Sequence, residues 1–221
     1  MDIRLAGAGC PTALASATAR LAGGLAVVSG PDETARAAFA RLLALRRPPT
    51  VGSMLWDGRE VGRLSPPDRS QLARRVGFAP SRAGLPLHVR VQQGLTYIAT
   101  LWEMADRTSV EGEIRRWGLQ HLRRRSLGGL SPGERQRFVL AASLLMSPDV
   151  WILEEPFNAL DPSGRVLLRE RILAIASDPT RARQVLVSGE SPDDELSGLP
   201  VDTRLVADEG VVRIRGSSGR R

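Results

Sequence analysis

At 221 residues, 42% of them apolar, the chain is long enough to bury a core of ordinary size in one domain, or in one domain with two lobes. Its longest apolar run, Val139 to Met146, falls far short of a bilayer span and no secretory pattern opens the sequence, so a soluble or peripheral protein is expected. The net charge of +7 comes from 31 basic residues that are all arginine; with 4% aromatics there is little to stack on bases, and no nucleic-acid partner is expected.

Met1 to Leu5 alternates weakly, and Leu25-Ala26-Val27-Val28 has the pattern of a buried strand ended by Ser29-Gly30, so residues 1–30 read as β-rich. Cys10, the single cysteine, excludes an internal disulfide and fits a reducing cytosol. Pro31-Asp32-Glu33 leads into a helix from about Thr34 to Leu45, with Phe39, Leu42 and Leu43 at helical spacing; Pro48 and Pro49 stop it. Ser53 to Val61 reads as a hairpin turning at Asp57-Gly58. A polar helix around Pro67 to Arg75 precedes a strand at Val76 to Ala79. From Pro86 to Gly128 the pattern is helical: Val91 to Met104 carries one apolar face and Val110 to Trp117 begins another helix, a candidate helical lobe inserted into an α/β body. The only histidines, His88 and His121, fall here and read as surface or structural residues.

Leu130 to Asp161, LSPGERQRFVLAASLLMSPDVWILEEPFNALD, starts a helix at Ser131-Pro132-Gly133-Glu134 and stops it at Pro148. It then enters a short hydrophobic strand, Val150 to Leu153, which ends in Glu154 and Glu155 and the turn Asn158 to Asp161. Gly164 to Ala176 is an amphipathic helix, Gln184 to Ser188 a strand, and Thr203 to Ala207 with Val211 to Ile214 a hairpin around Glu209-Gly210. The polar tail Gly216 to Arg221 is expected to be disordered. Alternating strands and helices predict an α/β fold with a mostly parallel sheet and flanking hairpins, in which ligands bind at the carboxyl ends of strands. Two such ends matter, Ser29-Gly30 and Glu154-Glu155.

These motifs, in this order and spacing, resemble the nucleotide-binding subunit of ATP-binding-cassette (ABC) transporters over nearly the whole chain. LSPGERQR is similar to the family's signature helix, VWILEEP to its Walker B strand and NALD to its D-loop, while Gly30 to Ala37 sits where the P-loop belongs. Trp56-Asp57-Gly58 and Val76 to Pro80 look most like the export-type branch. The resemblance implies a P-loop NTPase-like sheet forming one cassette domain over residues 1–215, with a helical subdomain inserted at about 82–148.

A phosphate-binding P-loop reads G-x-x-x-x-G-K-[ST]: backbone N–H groups face the phosphates, the lysine neutralises them and the hydroxyl holds magnesium. Here the register is Gly30-Pro31-Asp32-Glu33-Thr34-Ala35-Arg36-Ala37. Ala35 replaces the second glycine, Arg36 the lysine and Ala37 the hydroxyl, and Asp32 and Glu33 would repel phosphate oxygens. As residues, the two acids read as helix N-terminal acids that satisfy orphan N–H groups. The resemblance places Glu154 at the magnesium position, where the family has aspartate, and Glu155 at the general base; each can instead pair with an arginine. It places Ser81 at the Q-loop glutamine and Glu190 at the switch histidine, and residues 1–38 hold no aromatic for adenine. The signature keeps Ser131 and Gly133, with Pro132 for a glycine and Glu134 for the usual glutamine; Ser131 with Glu134 is also a capping box.

The resemblance therefore implies a degenerate, non-hydrolysing cassette, cytoplasmic and peripheral on the inner face of the cell membrane. Its partners would be a transmembrane transporter subunit and a second cassette, to whose ATP it supplies Ser131, Gly133 and Glu134 beside the D-loop Asp161. ATP is expected at that composite site, with magnesium doubtful and no metal ligands assigned at the chain's own P-loop. A low-activity homodimeric ATPase and a nucleotide-free scaffold of a membrane complex are the alternatives.

Overall fold

A computed structural model describes residues 1–10, 12–102, 108–181 and 183–215. In chain order the elements are β1 (Ile3–Cys10), β2 (Leu14–Leu21), β3 (Gly24–Ser29), α1 (Glu33–Leu43), β4 (Val51–Trp56), β5 (Arg59–Glu60), α2 (Pro66–Ala73) and β6 (Val76–Ala79). There follow α3 (Val91–Leu101), α4 (Thr108–Arg116), α5 (Pro132–Leu144), β7 (Val150–Glu154), α6 (Pro162–Ala176), β8 (Gln184–Ser188), α7 (Pro192–Glu195), β9 (Thr203–Asp208) and β10 (Val211–Ile214). The strands form one sheet in the order β5-β4-β1-β2-β10-β9-β3-β8-β7-β6. The run β9-β3-β8-β7-β6 is parallel throughout. The other end is an antiparallel layer of β5, β4, β1 and β2, joined to the parallel run through the β9–β10 hairpin. This is the mixed α/β fold that the alternating pattern predicts.

Both faces of β3, β7 and β8 are covered, which is why they read as largely apolar runs. Side chains alternate between two cores. Leu25, Val27, Trp151, Leu153, Val185 and Val187 face α3 to α6, while Ala26, Val28, Val150, Ile152 and Leu186 face α1 and the antiparallel layer. Trp117, just beyond α4, meets Trp151 of β7 edge-on with centroids 6.5 Å apart. Their indole N–H groups donate to Glu113 and Ser143, so neither buried ring leaves a polar atom unpaired.

Two elements escape the sequence pattern. β2, LASATARL, buries Leu14, Ala17, Ala19 and Leu21, but alanine in place of β-branched residues hides the alternation. α7 is a single turn of four residues. The hairpin turns lie at Asp57-Gly58 and Glu209-Gly210, all four residues at positive φ as a two-residue turn requires. α3 ends at Leu101, short of the expected Met104, which with the tail 216–221 lies outside the described residues.

Candidate functional site

The connection from β3 to α1 is three residues, Gly30, Pro31 and Asp32. Gly30 has φ 121°, and a side chain there would run into the Ala207 carbonyl, so only glycine fits. α1 then starts at Glu33, because Asp32 caps it. The Asp32 carboxylate accepts from Ala35 N (2.8 Å) and, across the sheet, from Gly210 N (2.7 Å). These N–H bonds, the Ala35 one first, hold the Asp32 carboxyl below its usual range. Three more of the loop's donors are engaged: Gly30 N with Glu190 O at 3.4 Å, Glu33 N with Pro31 O and Arg36 N with Asp32 O, each at 3.0 Å. Pro31 has no N–H to offer.

Arg36, 4% exposed, turns back from the first turns of α1. One nitrogen donates to the Gly30 carbonyl and the other, 2.8 Å away, to Glu155 Oε1. Glu155 directly follows β7 with φ 46°, its N–H held by Ser188 O at 2.8 Å, and Asn158 donates to its second oxygen at 3.3 Å. The lysine position and the general-base position are thereby joined in one part-buried ion pair. Glu154, 2% exposed, is the last residue of β7. It accepts from Ser81 N at 3.3 Å and stands 3.5 Å from Arg41 Nε. Burial, ahead of the opposing pull of Ser81 and Arg41, raises the Glu154 carboxyl above its usual range, and the charge on Glu155 adds to the rise.

The signature segment is built differently. Ser131 caps α5: its hydroxyl accepts from Glu134 N (3.2 Å), and Glu134 Oε2 accepts from Ser131 N (2.7 Å). The Ser131 N–H lowers the Glu134 carboxyl. Ser131 and Pro132 lie exposed, and Gly133 backs onto the D-loop, where an added Cβ would sit 3.0 Å from Ala159 O. Asp161 caps α6 through Gly164 N (2.8 Å) and pairs with Arg137, whose guanidinium is the main cause of its lowered carboxyl.

Arg36, Glu155, Ser81, Glu190 and Asn158 line a cleft of about 510 Å³ at the carboxyl ends of β3, β6, β7 and β8. Glu33 also lines it, whereas Glu154, Ser131, Gly133, Glu134 and Asp161 do not. Thr34 and Asp32 instead face a second hollow under the β1–β2 turn, and Ala35 is buried. Arg41, Arg137 and Asn158 emerge from the structure as partners of Glu154, Asp161 and Glu155. Asn158 lies in the NALD motif; nothing in the spacing marks the two arginines. His88 and His121 are exposed.

A family profile described as ABC transporter matches residues 25–158. The chain is 34% identical over 154 residues to the cytochrome c biogenesis ATP-binding export protein CcmA of Pseudomonas fluorescens, covering 69% of this chain and 71% of that protein. It is 31% identical over 199 residues to the thiamine import ATP-binding protein ThiQ of Salmonella choleraesuis, covering 86% and 79%. One of these relatives is named for export and the other for import. Among solved structures, the ATP-binding cassette MJ0796, a dimer in a post-hydrolysis state bound to ADP and Pi, superposes with a TM-score of 0.82 at 15% identity over 96% of this chain and 97% of that one. That likeness is one of fold.

Proposed function

The chain belongs to the ABC transporter family, and from that premise we propose that it is a degenerate cassette that hydrolyses no ATP at its own P-loop. It works beside a membrane-embedded transporter subunit on the inner face of the cell membrane, paired with a second, competent cassette. Residues 1–215 form its cassette domain, with 82–148 as the helical subdomain. Among the described residues no helix is long and apolar enough to cross a membrane, so on this reading the transmembrane path belongs to the partner.

The observation that carries the reading is the Arg36–Glu155 pair. A cassette that holds ATP needs a cation free for the phosphates and a carboxylate free for the attacking water. Here each neutralises the other. The residues at the P-loop do not fit a triphosphate. Four of its N–H groups, those of Gly30, Glu33, Ala35 and Arg36, are donated within the chain, and Asp32 occupies the helix N-terminus that a phosphate would take. They do not fit magnesium either: Ala37 offers no oxygen, and the raised Glu154 carboxyl is buried among groups of this chain.

The signature end supports the donor half of the proposal. The exposed Ser131 hydroxyl uses its oxygen as the acceptor in the capping box, and its proton, which faces the Glu134 carboxylate, can turn to a partner's phosphate. The exposed N-terminus of α5 presents its positive end alongside. In a head-to-tail pair of cassettes this chain supplies Ser131 and Gly133 to ATP held by its partner.

The isolated chain with ATP and magnesium is expected to release no phosphate above buffer; steady turnover that disappears in Glu155→Gln would overturn the proposal. In the assembled transporter, Ser131→Arg should cut ATPase activity roughly tenfold or more, by blocking a donor at the partner's phosphates. Arg36→Ala, compared per folded complex, should leave it within about twofold. Equal losses from both would mean that this P-loop is in use.

A further inference from the structure

Away from the cleft, between α4, the end of α5 and α6, three guanidinium groups line one cavity of about 400 Å³: Arg116 at the end of α4, Arg171 on α6 and Arg183 just before β8. Among the described residues Glu113 is the only carboxylate lining it, and both of its oxygens are engaged. One accepts from Arg116 at 2.6 Å and the other from the buried Trp117 indole at 3.0 Å. Arg183 donates to the Ser147 hydroxyl at 2.9 Å. It also pairs, at 4.0 Å, with one oxygen of Asp178, whose other oxygen accepts from Thr180. Arg171 has no hydrogen bond or ion pair among the described residues, and its Nε, like that of Arg183, is shut off from solvent without an acceptor.

A lone guanidinium in a half-buried position costs desolvation free energy that only the attraction of Glu113 offsets, and its arginine neighbours add to the cost by repulsion. Desolvation, followed by the charges of Arg116 and Arg183, lowers the Arg171 guanidinium from its usual range against the attraction of Glu113. Three positive charges against two carboxylates, Glu113 and Asp178, both already engaged, leave a positive surplus and an Arg171 guanidinium without an acceptor, suited to an anion with several acceptor oxygens. Planar guanidinium forks match the paired oxygens of a phosphate group, and the apolar ends of α5 and α6 that wall the cavity strengthen the attraction. The cavity is several times the size of a phosphate group.

We infer that this cavity is an anion site, separate from the nucleotide cleft, that takes the phosphate group of a small phosphate ester through Arg171, Arg183 and Arg116. It follows from the convergence of these three side chains and does not depend on whether the P-loop is active.

The test is the thermal midpoint of the full-length chain, with inorganic phosphate as the probe and sodium chloride matched for ionic strength. At about ten times its dissociation constant, phosphate should raise the midpoint by about 2–5 °C over chloride. Arg171→Met keeps the packing of the stem and removes the charge. It should melt no lower than the parent in chloride and lose the phosphate shift; Arg183→Met should weaken phosphate binding about tenfold. A phosphate shift retained in both variants would place the ion elsewhere and overturn the assignment, as would no shift in the parent chain. If the site holds, pyrophosphate and a sugar phosphate compared at equal concentration will show whether a bare anion or an ester is preferred.

Discussion

The P-loop and the signature helix begin alike, each with an oxygen-bearing side chain accepting from an N–H three residues on. They diverge in what lies behind the cap. At α5 the bonds are local: Ser131 and Glu134 serve each other within one turn, and both side chains remain at the surface. At α1 the bonds are long-range. Asp32 ties the helix to Gly210, and Arg36 ties it to Glu155, 119 residues away. A local cap stabilises a helix and leaves its end available to a ligand. A cap reinforced by a part-buried ion pair makes the same end a piece of the protein interior. The two helix starts therefore differ physically, one closed on groups of its own chain and one facing outward.

The largest expected effect tests the closed half. Glu155→Ala leaves Arg36, 4% exposed, without its ion-pair partner, and should cost about 3 kcal/mol of unfolding free energy by urea titration. Replacing both partners, Arg36→Leu with Glu155→Ala, should recover most of that loss, because no uncompensated charge remains. A loss below about 1 kcal/mol in the single variant would mean that water screens the pair, and the closed-loop account would fail.

A smaller effect tests the open half. Ser131→Ala removes one local cap and should cost about 1 kcal/mol. Because no long-range bond depends on Ser131, the unfolding m-value should not change. A cost as large as that of Glu155→Ala would erase the distinction between the two regions.

How far each region could be read from the sequence follows from the same difference. The capping boxes and turns at Ser131–Glu134, Asp57-Gly58 and Glu209-Gly210 are short-range, and their residues announce them. The strands β3, β7 and β8 are legible because covering both faces demands apolar runs. What closes the P-loop was not legible: Arg36 could be seen in the lysine position and Glu155 in the base position, but no spacing tells that they meet. The same holds for Arg41 beside Glu154 and for the three arginines around the second cavity, which come from α4, α6 and the approach to β8. Weakly β-prone Leu14–Leu21 was lost for another reason, since alanine buries too little area to mark a face.

The smallest effect concerns Glu154, where the direction matters more than the size. Burial raises its carboxyl in the folded state, so the folded protein holds the proton more tightly than the unfolded chain does. Stability from this group is therefore present below the unfolded pKa of about 4.3 and is lost as pH rises through the higher folded value. At neutral pH the ionised Glu154 is a net cost that Ser81 N–H and the largely exposed Arg41 offset only in part. Glu154→Gln should equal or exceed the parent in stability at pH 7, by on the order of 1 kcal/mol or less. The parent should gain on the variant as the pH is lowered toward 4. A urea-midpoint series from pH 4 to 8 reads this directly. If Glu154 instead holds a structural cation or a strong partner, the variant will be the less stable at pH 7 and the gap will close on acidification, which would return this carboxylate to the role of a metal ligand.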